Sequence, residues 1–257
     1  MDGVRPDAIH AARTPTLDRL AREGAVTWAA RAVMPSCTLP CHTSMLRGVD
    51  TARHGITTNT FQPLARPVPS LIEVAHAAGL RTGFFYNWEQ LRDLAAPGHL
   101  DVSMMYGDAH SPESDWCVAE LAAEWAARVP FDLLFVYFGW PDECAHVHGW
   151  MSEPYLEAVS NADACLGHVL AALERLGRAD ETVTLALSDH GGHERTHRTD
   201  CDDDMLIPWI LHGPGVRAGH AIGEPVRIYD TCVTLAHLLG LPHQREWEGR
   251  VIREALL

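Results

Sequence analysis

Two segments of the sequence place an aspartate and a histidine close together just after an apolar run. Asp189 and His190 follow the largely apolar residues 183–187, with only Ser188 between. Asp142 and His146 stand four positions apart after a second apolar run. Open α/β sheets place their chemistry at the carboxyl ends of the strands, and carboxylates and imidazoles both bind divalent cations. Each pair alone is also compatible with a solvated loop, but together they predict a metal site at one edge of a sheet.

Two glycines follow His190, and two further histidines come shortly after them. Gly191 and Gly192 allow the backbone to turn sharply. Either His193 or His197 can therefore return to the same pocket as a further ligand.

A threonine at the start of a predicted helix over 38–47 offers a hydroxyl group. Thr38 either caps this helix without doing chemistry or serves as a nucleophile. At a helix N-terminus, free N–H groups and the positive end of the helix dipole favour an alkoxide and an incoming phosphate. Asp2 is a further candidate metal ligand near the start of the chain.

The composition is that of a globular protein with a strongly acidic balance. The chain has 257 residues, of which 47% are hydrophobic, and a formal net charge of −14. This charge argues against nucleic acid polymers and anionic membranes as partners, whereas bound cations would reverse its sign inside a pocket. Histidine, the commonest metal ligand, occurs sixteen times.

The cysteine count and the hydropathy bear on the compartment. Seven cysteines, an odd number without paired spacing, favour reduced thiols and a cytoplasmic location. No apolar run is long enough for a membrane span, and the first residues are too polar for a signal peptide. The sequence does not indicate an oligomeric state.

The elements that must position these residues alternate between strands and helices. Strands are predicted at 25–33, 82–86, 100–105, 133–138, 183–187 and 207–212. Helices are predicted at 15–24, 38–47, 70–79, 111–127, 153–176 and 230–239. The helix at 70 opens with the capping box Ser70-Leu71-Ile72-Glu73. This alternation predicts a single α/β domain over 1–257, with a mostly parallel central sheet covered by helices on both faces.

Short sequence motifs that could take part in the site occur in a fixed order over nearly the whole chain. They are Asp2-Gly3, the helix from Thr14 to Gly24, Thr38-Leu39-Pro40-Cys41-His42, His54-Gly55-Ile56-Thr57-Thr58-Asn59, Asp142 with His146, Ser188 to Gly192, His197 with Met205 and Gly213-Pro214, and the closing segments 230–242 and 248–254. With these motifs the sequence resembles the alkaline phosphatase superfamily, and within it the type I phosphodiesterase/nucleotide pyrophosphatase family.

The resemblance implies a hydrolase with two divalent metal ions, with zinc favoured over manganese or iron. One ion would be held by Asp2, Thr38, Asp189 and His190. The other would be held by Asp142, His146 and His197. His197 is preferred to His193 because its distance to Met205 and the following strand fits the family. His42, His54 and His148 are expected to be structural or to contact the ligands without binding an ion.

The resemblance also implies a reaction. Thr38 would attack phosphorus and form a phospho-threonine intermediate, while Asn59 and the backbone N–H of Leu39 would bind a non-bridging oxygen. The implied partner is a small phosphorylated substrate with a phosphodiester, pyrophosphate or phosphonate bond. A small cap-like insertion is expected around 87–130.

The chain departs from the family pattern at two places. The family's first aspartate follows a central strand, whereas only Met1 precedes Asp2, so we expect an alkaline-phosphatase-like fold that lacks this strand. Such a protein is a full enzyme with a misassigned start, or a catalytically impaired metal-binding member. Cys41 stands where many relatives have asparagine, but the Cys-x-Pro-x-Arg motif of sulfatases is absent. A phosphomutase would need a larger cap.

Overall fold

Seven strands form two sheets, and strand edges of the two sheets face each other across a gap. The structure is a computed structural model that describes residues 1–257. The strands are β1 (Ala25–Arg31), β2 (Thr82–Tyr86), β3 (Val102–Met105), β4 (Leu133–Val136), β5 (Thr184–Leu187), β6 (Leu206–His212) and β7 (His220–Ala221). One sheet has the order β3-β2-β4, and the other has the order β5-β6-β1-β7.

Helices occupy most of the connections between the strands. They are α1 (Pro6–Ala11), α2 (Pro15–Glu23), α3 (Thr38–Arg47), α4 (Thr51–His54), α5 (Leu71–Ala77), α6 (Pro112–Arg128), α7 (Trp140–His148), α8 (Glu153–Arg175), α9 (Asp202–Met205) and α10 (Asp230–Leu238). Short 3-10 helices lie at Glu89–Leu94, Ala179–Glu181 and Arg253–Ala255. None of the helices combines enough length and apolarity to span a membrane.

The α/β prediction is confirmed, and the three-stranded sheet is parallel throughout. The four-stranded sheet is mixed, because β6 runs antiparallel to both β5 and β1. The segment between β5 and β6 contains only the four-residue helix α9 and no crossover helix. The chain therefore re-enters the sheet from the edge at which β5 ends, which gives an antiparallel pair.

The hydrophobic core lies on both faces of the sheets. Along β6, Ile207, Trp209 and Leu211 pack into one apolar cluster, whereas Ile210 packs into another with α1, α2 and α8. Burial on both faces explains why β6 reads as an almost continuous apolar run. The helices thus cover both faces, as predicted.

Local signals in the sequence fix several helix ends. Ser70 Oγ accepts a hydrogen bond from the Glu73 backbone N–H at 3.1 Å, and the Glu73 carboxylate accepts one from the Ser70 backbone N–H at 3.0 Å. This reciprocal capping confirms the predicted start of α5. Helix α3 ends at Gly48, whose φ of 65° is the left-handed conformation that glycine adopts without strain.

One segment differs from the expectation. Residues 140–148, expected as a loop or single turn, form α7, which carries the buried Asp142 in its first turn and the exposed His146 in its last turn. The segment 87–130, expected as a cap-like insertion, contributes β3 to the sheet and α6 to the layer that packs against α8. A parallel strand needs a helical crossover, and α6 is the crossover between β3 and β4.

The gap between the two sheets, bordered by β4 and β5, lies where the absent strand is expected. β4 is the last strand of one sheet, and β5 is the last strand of the other. Met1 and Asp2 lie at one end of this gap, where the Met1 amino group donates to Leu187 O at 3.2 Å and Asp2 N–H donates to Phe138 O at 2.9 Å. Asp2 is therefore held in place even though no strand leads into it.

Candidate metal centre

The structure brings all seven predicted ligands to one edge of the sheets. Asp2 follows the gap, Thr38 begins α3, Asp142 and His146 lie on α7, and the remaining three follow β5. A pocket of about 270 Å³ is lined by five of them, namely Asp2, Thr38, Asp142, His146 and His197. Asp189 and His190 are buried beside it.

One cluster surrounds the side chain of His190. Its Nε2 atom lies 3.3 Å from Thr38 Oγ1, 3.3 Å from Asp2 Oδ1 and 3.4 Å from Asp189 Oδ2. The side chains of Asp2, Asp189 and His190 are all almost completely buried. These are the four residues that the family resemblance assigns to one metal ion.

A second cluster surrounds the carboxylate of Asp142. His146 Nε2 lies 3.3 Å from Asp142 Oδ2, and His197 Nε2 lies 3.9 Å from Asp142 Oδ1. The rings of His190 and His197 stack with their centroids 4.0 Å apart, so the two clusters adjoin. Together with His190, the residues Asp142 and His197 also form a group whose ligand atoms lie close enough to hold one ion.

The three histidines are all oriented by backbone carbonyl groups. The Nδ1 atoms of His146, His190 and His197 pair with carbonyl oxygens of Arg195, Gly191 and Ser36 at 3.0, 2.8 and 2.7 Å. A carbonyl can only accept, so each Nδ1 carries a proton and each Nε2 is directed towards the carboxylates. Histidines that ligate a metal typically have this arrangement.

Three carboxylate oxygens in these clusters are buried without a hydrogen-bond partner. They are Asp2 Oδ1, Asp142 Oδ1 and Asp189 Oδ2. A buried carboxylate oxygen without a donor is costly, and a cation is the partner that would compensate for it. The residues present therefore fit divalent metal ions.

Burial and neighbouring charges shift the pKa values in both clusters. Burial, together with Asp189 and Asp142, raises the pKa of Asp2 well above its usual value. Burial alone would raise the pKa of Asp142, but the hydrogen bond from His146 and the neighbouring histidines hold it below its usual value. Such opposed shifts among adjacent groups are typical of functional sites.

The two histidines nearest Asp142 shift in opposite directions. The hydrogen bond to Asp142 raises the pKa of His146 to about 9. Burial lowers the pKa of His197 to about 4, so this ring is neutral at pH 7. A neutral imidazole is the form that binds a metal ion.

Close packing holds together the segments that carry the predicted ligands. Gly3 has a φ of 62°, and a Cβ atom there would lie 2.8 Å from Asp142 Oδ1. A Cβ atom on Gly192 would lie 2.2 Å from the ring of Trp150. The Trp150 indole donates to Gly3 O at 2.9 Å and lies edge-on to the ring of His146. Only glycine allows these approaches.

Thr38 and Asn59 both lie at the start of α3 and line the same pocket. Cys37 is the capping residue, and Thr38 takes the first helical position rather than the cap position. Asn59 Oδ1 accepts hydrogen bonds from the Leu39 backbone N–H and from Cys37 Sγ, both at 3.0 Å. The Leu39 N–H, expected to bind a substrate oxygen, is therefore engaged by Asn59, and the Asn59 Nδ2 group is the free donor.

The structure distinguishes His193 from His197 as the last predicted metal ligand. His193 Nδ1 lies 2.7 Å from Asp204 Oδ1 and 3.8 Å from Cys201 Sγ, in a group apart from the seven residues. His197 lies beside Asp142 and His190. The geometry favours His197, as the family resemblance does.

Several residues around the site were not singled out in the sequence. The Tyr137 hydroxyl donates to Asp2 Oδ2, and Glu143, Arg195 and Arg198 line the pocket. Glu143 and the two arginines lie within two positions of the predicted ligands in sequence, which is a signal that could have found them. Tyr137 shows no such signal.

Comparison with known proteins places the chain in a family. The model of the type I phosphodiesterase / nucleotide pyrophosphatase family matches residues 1–77 and 87–207. The chain belongs to this family. The resemblance seen in the motifs is thereby confirmed, and phosphoester hydrolysis is the chemistry that the membership supports.

Curated relatives show how far the likeness extends. The ectonucleotide pyrophosphatase/phosphodiesterase family member 7 of Rattus norvegicus is 24% identical over 212 residues, which cover 74% of this chain and 48% of the rat protein. Arylsulfatase K of Danio rerio is 34% identical over 93 residues, or 34% of this chain and 18% of that protein. The chain therefore spans about half the length of the rat relative and a smaller share of the arylsulfatase.

Solved structures confirm the alkaline-phosphatase-like fold. Human ectonucleotide pyrophosphatase / phosphodiesterase 5 superposes with a TM-score of 0.84 at 16% identity and covers 100% of this chain and 98% of its own. Its murine counterpart, an inactive variant in complex with AMP, gives a TM-score of 0.79 at 17% identity with 95% of each chain covered. A phosphonate monoester hydrolase of Agrobacterium radiobacter gives 0.75 at 16% identity, covering 97% of this chain and 74% of that one.

Proposed function

We propose that this protein is a metal-dependent hydrolase of small phosphodiesters or pyrophosphates, with Thr38 as the nucleophile. The observation that carries the proposal is the place of Thr38 Oγ1, 3.3 Å from His190 Nε2 and in the same pocket as Asp2 and Asp142. Family membership and the AMP complex of the murine relative support this substrate class.

We further propose that the seven clustered residues hold two divalent cations. One would be bound by Asp2, Thr38, Asp189 and His190, and the other by Asp142, His146 and His197. Imidazole nitrogens and single carboxylate oxygens favour zinc over manganese or iron. When bound, such ions offset the buried carboxylates and lower the pKa of the hydroxyl groups they contact.

The position of Thr38 on α3 supports its role as nucleophile. The N-terminus of this ten-residue helix is the positive end of the helix dipole. This positive end stabilises negative charge on the Thr38 oxygen and on an incoming phosphate. The Thr38 oxygen forms a bond to phosphorus as the bond to the leaving oxygen breaks, and water then releases the phosphate and restores the hydroxyl group.

Asn59 supplies a donor to the same reaction centre. Its Oδ1 atom is fixed by Leu39 and Cys37, so its Nδ2 group is free to donate to a non-bridging phosphate oxygen. A fixed donor aimed at developing negative charge stabilises the transition state without reorganisation. Asn59 thus acts as an oxyanion-binding residue.

The pocket limits the substrate to a small molecule. Its volume is about 270 Å³, and only Trp88 and Tyr137 among its lining residues are hydrophobic. The exposed side chains of Arg195 and Arg198 stand at the rim. Their positive charge, on an otherwise acidic chain, suits a substrate that carries a further anionic group beyond the reacting phosphoryl group.

The proposal is tested by the release of nitrophenol from bis-p-nitrophenyl phosphate. We expect turnover that is lost with a chelator, restored by zinc, and reduced by about 10³-fold or more in Thr38→Ala. Thr57→Ala, on the exposed loop before Asn59, is the matched control and should keep full activity. p-Nitrophenyl sulfate is the parallel substrate that tests for sulfatase activity.

Each outcome distinguishes one of the alternatives. Zinc-independent turnover, or turnover that survives in Thr38→Ala, would contradict the proposed mechanism. Binding of zinc without hydrolysis of any phosphoester would instead identify a metal-binding member that is catalytically impaired. Faster release from the sulfate than from the phosphodiester would make the protein a sulfatase.

A further inference from the structure

A further set of ligand-type side chains lies outside the pocket, between the loop after β5 and helix α9. His193 belongs to the loop, Cys201 is the capping residue of α9, and Asp204 lies within this helix. An imidazole nitrogen, a sulfur and a carboxylate oxygen of these residues all lie within 4.8 Å of one another. None of the three lines the pocket beside Thr38. We call these three residues the outer cluster.

The spacing of the three ligand atoms is close to the spacing around one zinc ion. Cys201 Sγ lies 3.8 Å from His193 Nδ1, and a tetrahedral zinc ion would hold a sulfur and a nitrogen about 3.6 Å apart. Asp204 Oδ1 lies 2.7 Å from the same nitrogen, whereas zinc would hold an oxygen and a nitrogen about 3.4 Å apart. The side chain of His193 is 31% exposed, so it has room for this small shift.

Thr199 holds two of the three ligands in place. Its Oγ1 atom lies 2.7 Å from Asp204 Oδ2 and 3.1 Å from Cys201 Sγ, and its backbone N–H donates to Asp204 Oδ2 at 2.8 Å. Asp204 Oδ1 is thus the oxygen left for His193 or for an ion. The turn that carries His193 is also fixed, because its backbone N–H and carbonyl both pair with Thr196 at 2.9 Å. Neighbouring hydrogen bonds that orient the ligands in this way are typical of metal sites.

The mixture of donor atoms indicates which ion the outer cluster would take. A thiolate combined with an imidazole and a carboxylate favours zinc over magnesium, calcium or manganese, which prefer oxygen ligands. An ion bound there replaces the proton between His193 Nδ1 and Asp204 Oδ1, and it also replaces the thiol proton of Cys201. Both protons pass to the solvent as the ion binds.

We propose that the outer cluster binds one zinc ion through His193, Cys201 and Asp204, with water as the fourth ligand. His193 lies between His190 and His197 in sequence, so this ion ties the loop that carries both predicted ligands to α9. Because the cluster has three protein ligands and its thiol is exposed, we expect the ion to leave on dialysis, unlike the ions proposed for the pocket. The inference does not depend on the proposed function, since none of the three residues is among the seven predicted ligands.

Cobalt binding to the whole protein tests the proposal. A bond between cobalt(II) and a thiolate gives a charge-transfer band in the near ultraviolet, whereas carboxylate and imidazole ligands give no such band. The variant Cys201→Ser removes the thiolate at an exposed position, and Cys117→Ser is the matched control because Cys117 belongs to no group of clustered ligands. Cys37→Ser, next to Thr38, tests whether the band arises in the pocket instead. The readout is absorbance, so it requires no hydrolysis.

We expect the band to reach a plateau at one cobalt ion per chain, to be lost in Cys201→Ser and to persist in the other two cysteine variants. Added zinc should remove the band by displacing cobalt, and Thr199→Val should weaken cobalt binding at the outer cluster by about tenfold. Absence of the band from the unaltered protein would overturn the proposal, as would a band that survives in Cys201→Ser or is lost only in Cys37→Ser. A band without hydrolysis of any phosphoester would contradict the proposed function and support the outer cluster as a zinc site.

Discussion

At the scale of single residues, the candidate site depends on the orientation of its histidine rings. Three histidines donate from Nδ1 to carbonyl oxygens and so present Nε2 to Asp2, Asp142 or Asp189. The ring orientations are therefore fixed in advance, and a metal ion bound there would not require the rings to turn. The sequence supplied the residue types, but carbonyl partners are not visible in it.

The choice between His193 and His197 makes a direct prediction. His197→Ala should lose about one of the two proposed zinc ions per chain, because the cluster around Asp142 then has one imidazole fewer. His193→Ala should retain both, because His193 pairs with Asp204 instead. Metal content of the dialysed proteins by mass spectrometry decides this, and an equal loss in both variants would contradict the assignment.

Gly3 predicts a second residue-scale effect. A Cβ atom on Gly3 would meet Asp142 Oδ1 at 2.8 Å, so Gly3→Ala should weaken zinc binding by about tenfold or more. Gly79→Ala is the matched control, since Gly79 also has a positive φ but has open space around it. Gly79→Ala should lose about 1 kcal/mol of stability from its backbone conformation alone, and Gly3→Ala should lose more because of the contact with Asp142. Zinc titration that gave the same affinity for both would refute the argument.

At the scale of elements, much of the fold follows from patterns in the sequence. The capping box at Ser70, the strand 82–86 and the long helix over 153–176 correspond to α5, β2 and α8, because these signals are local. The antiparallel direction of β6 and the helical state of 140–148 depend on tertiary packing. Local propensity does not specify either of them.

Helix α7, which carries Asp142 and His146, is held at its start by Asp115 of α6. The Asp115 Oδ1 atom accepts from the backbone N–H groups of Gly139 and Trp140 at 3.1 and 3.3 Å. Its Oδ2 atom is buried without a partner. Burial raises the pKa of Asp115 to about 7.

Asp115 therefore predicts a pH dependence of stability. Because the folded-state pKa lies above that of an unfolded aspartate, the folded protein keeps a proton that the unfolded chain releases. Its contribution is present below about pH 4 and is lost at up to about 1 kcal/mol per pH unit as the pH rises towards 7. Urea unfolding of Asp115→Asn should show a shallower fall from pH 5 to 7 than the unaltered protein, and parallel curves would contradict this.

At the scale of the whole molecule, an acidic chain with a net charge of −14 buries part of its negative charge. Three buried carboxylates converge at the sheet edge, namely Asp2, Asp142 and Asp189. Their mutual repulsion destabilises the metal-free fold, and two divalent cations would relieve it. The proposed metal site is thus tied to folding as well as to the proposed catalysis.

This link predicts how the protein responds to metal removal. A chelator should lower the thermal midpoint, and zinc at about a thousand times its dissociation constant should restore about 4 kcal/mol. Asp2→Asn should melt higher than the unaltered protein in chelator, because one buried charge is gone, and should gain less from zinc. The reverse order in chelator would show that the carboxylates do not repel one another there.

The most direct test of the account is anomalous diffraction at the zinc edge from crystals of the zinc-loaded protein. The account predicts two adjacent peaks beside Thr38, one among Asp2, Asp189 and His190 and the other among Asp142, His146 and His197. A single peak, or peaks only at the group of His193, Cys201 and Asp204, would contradict the two-ion centre.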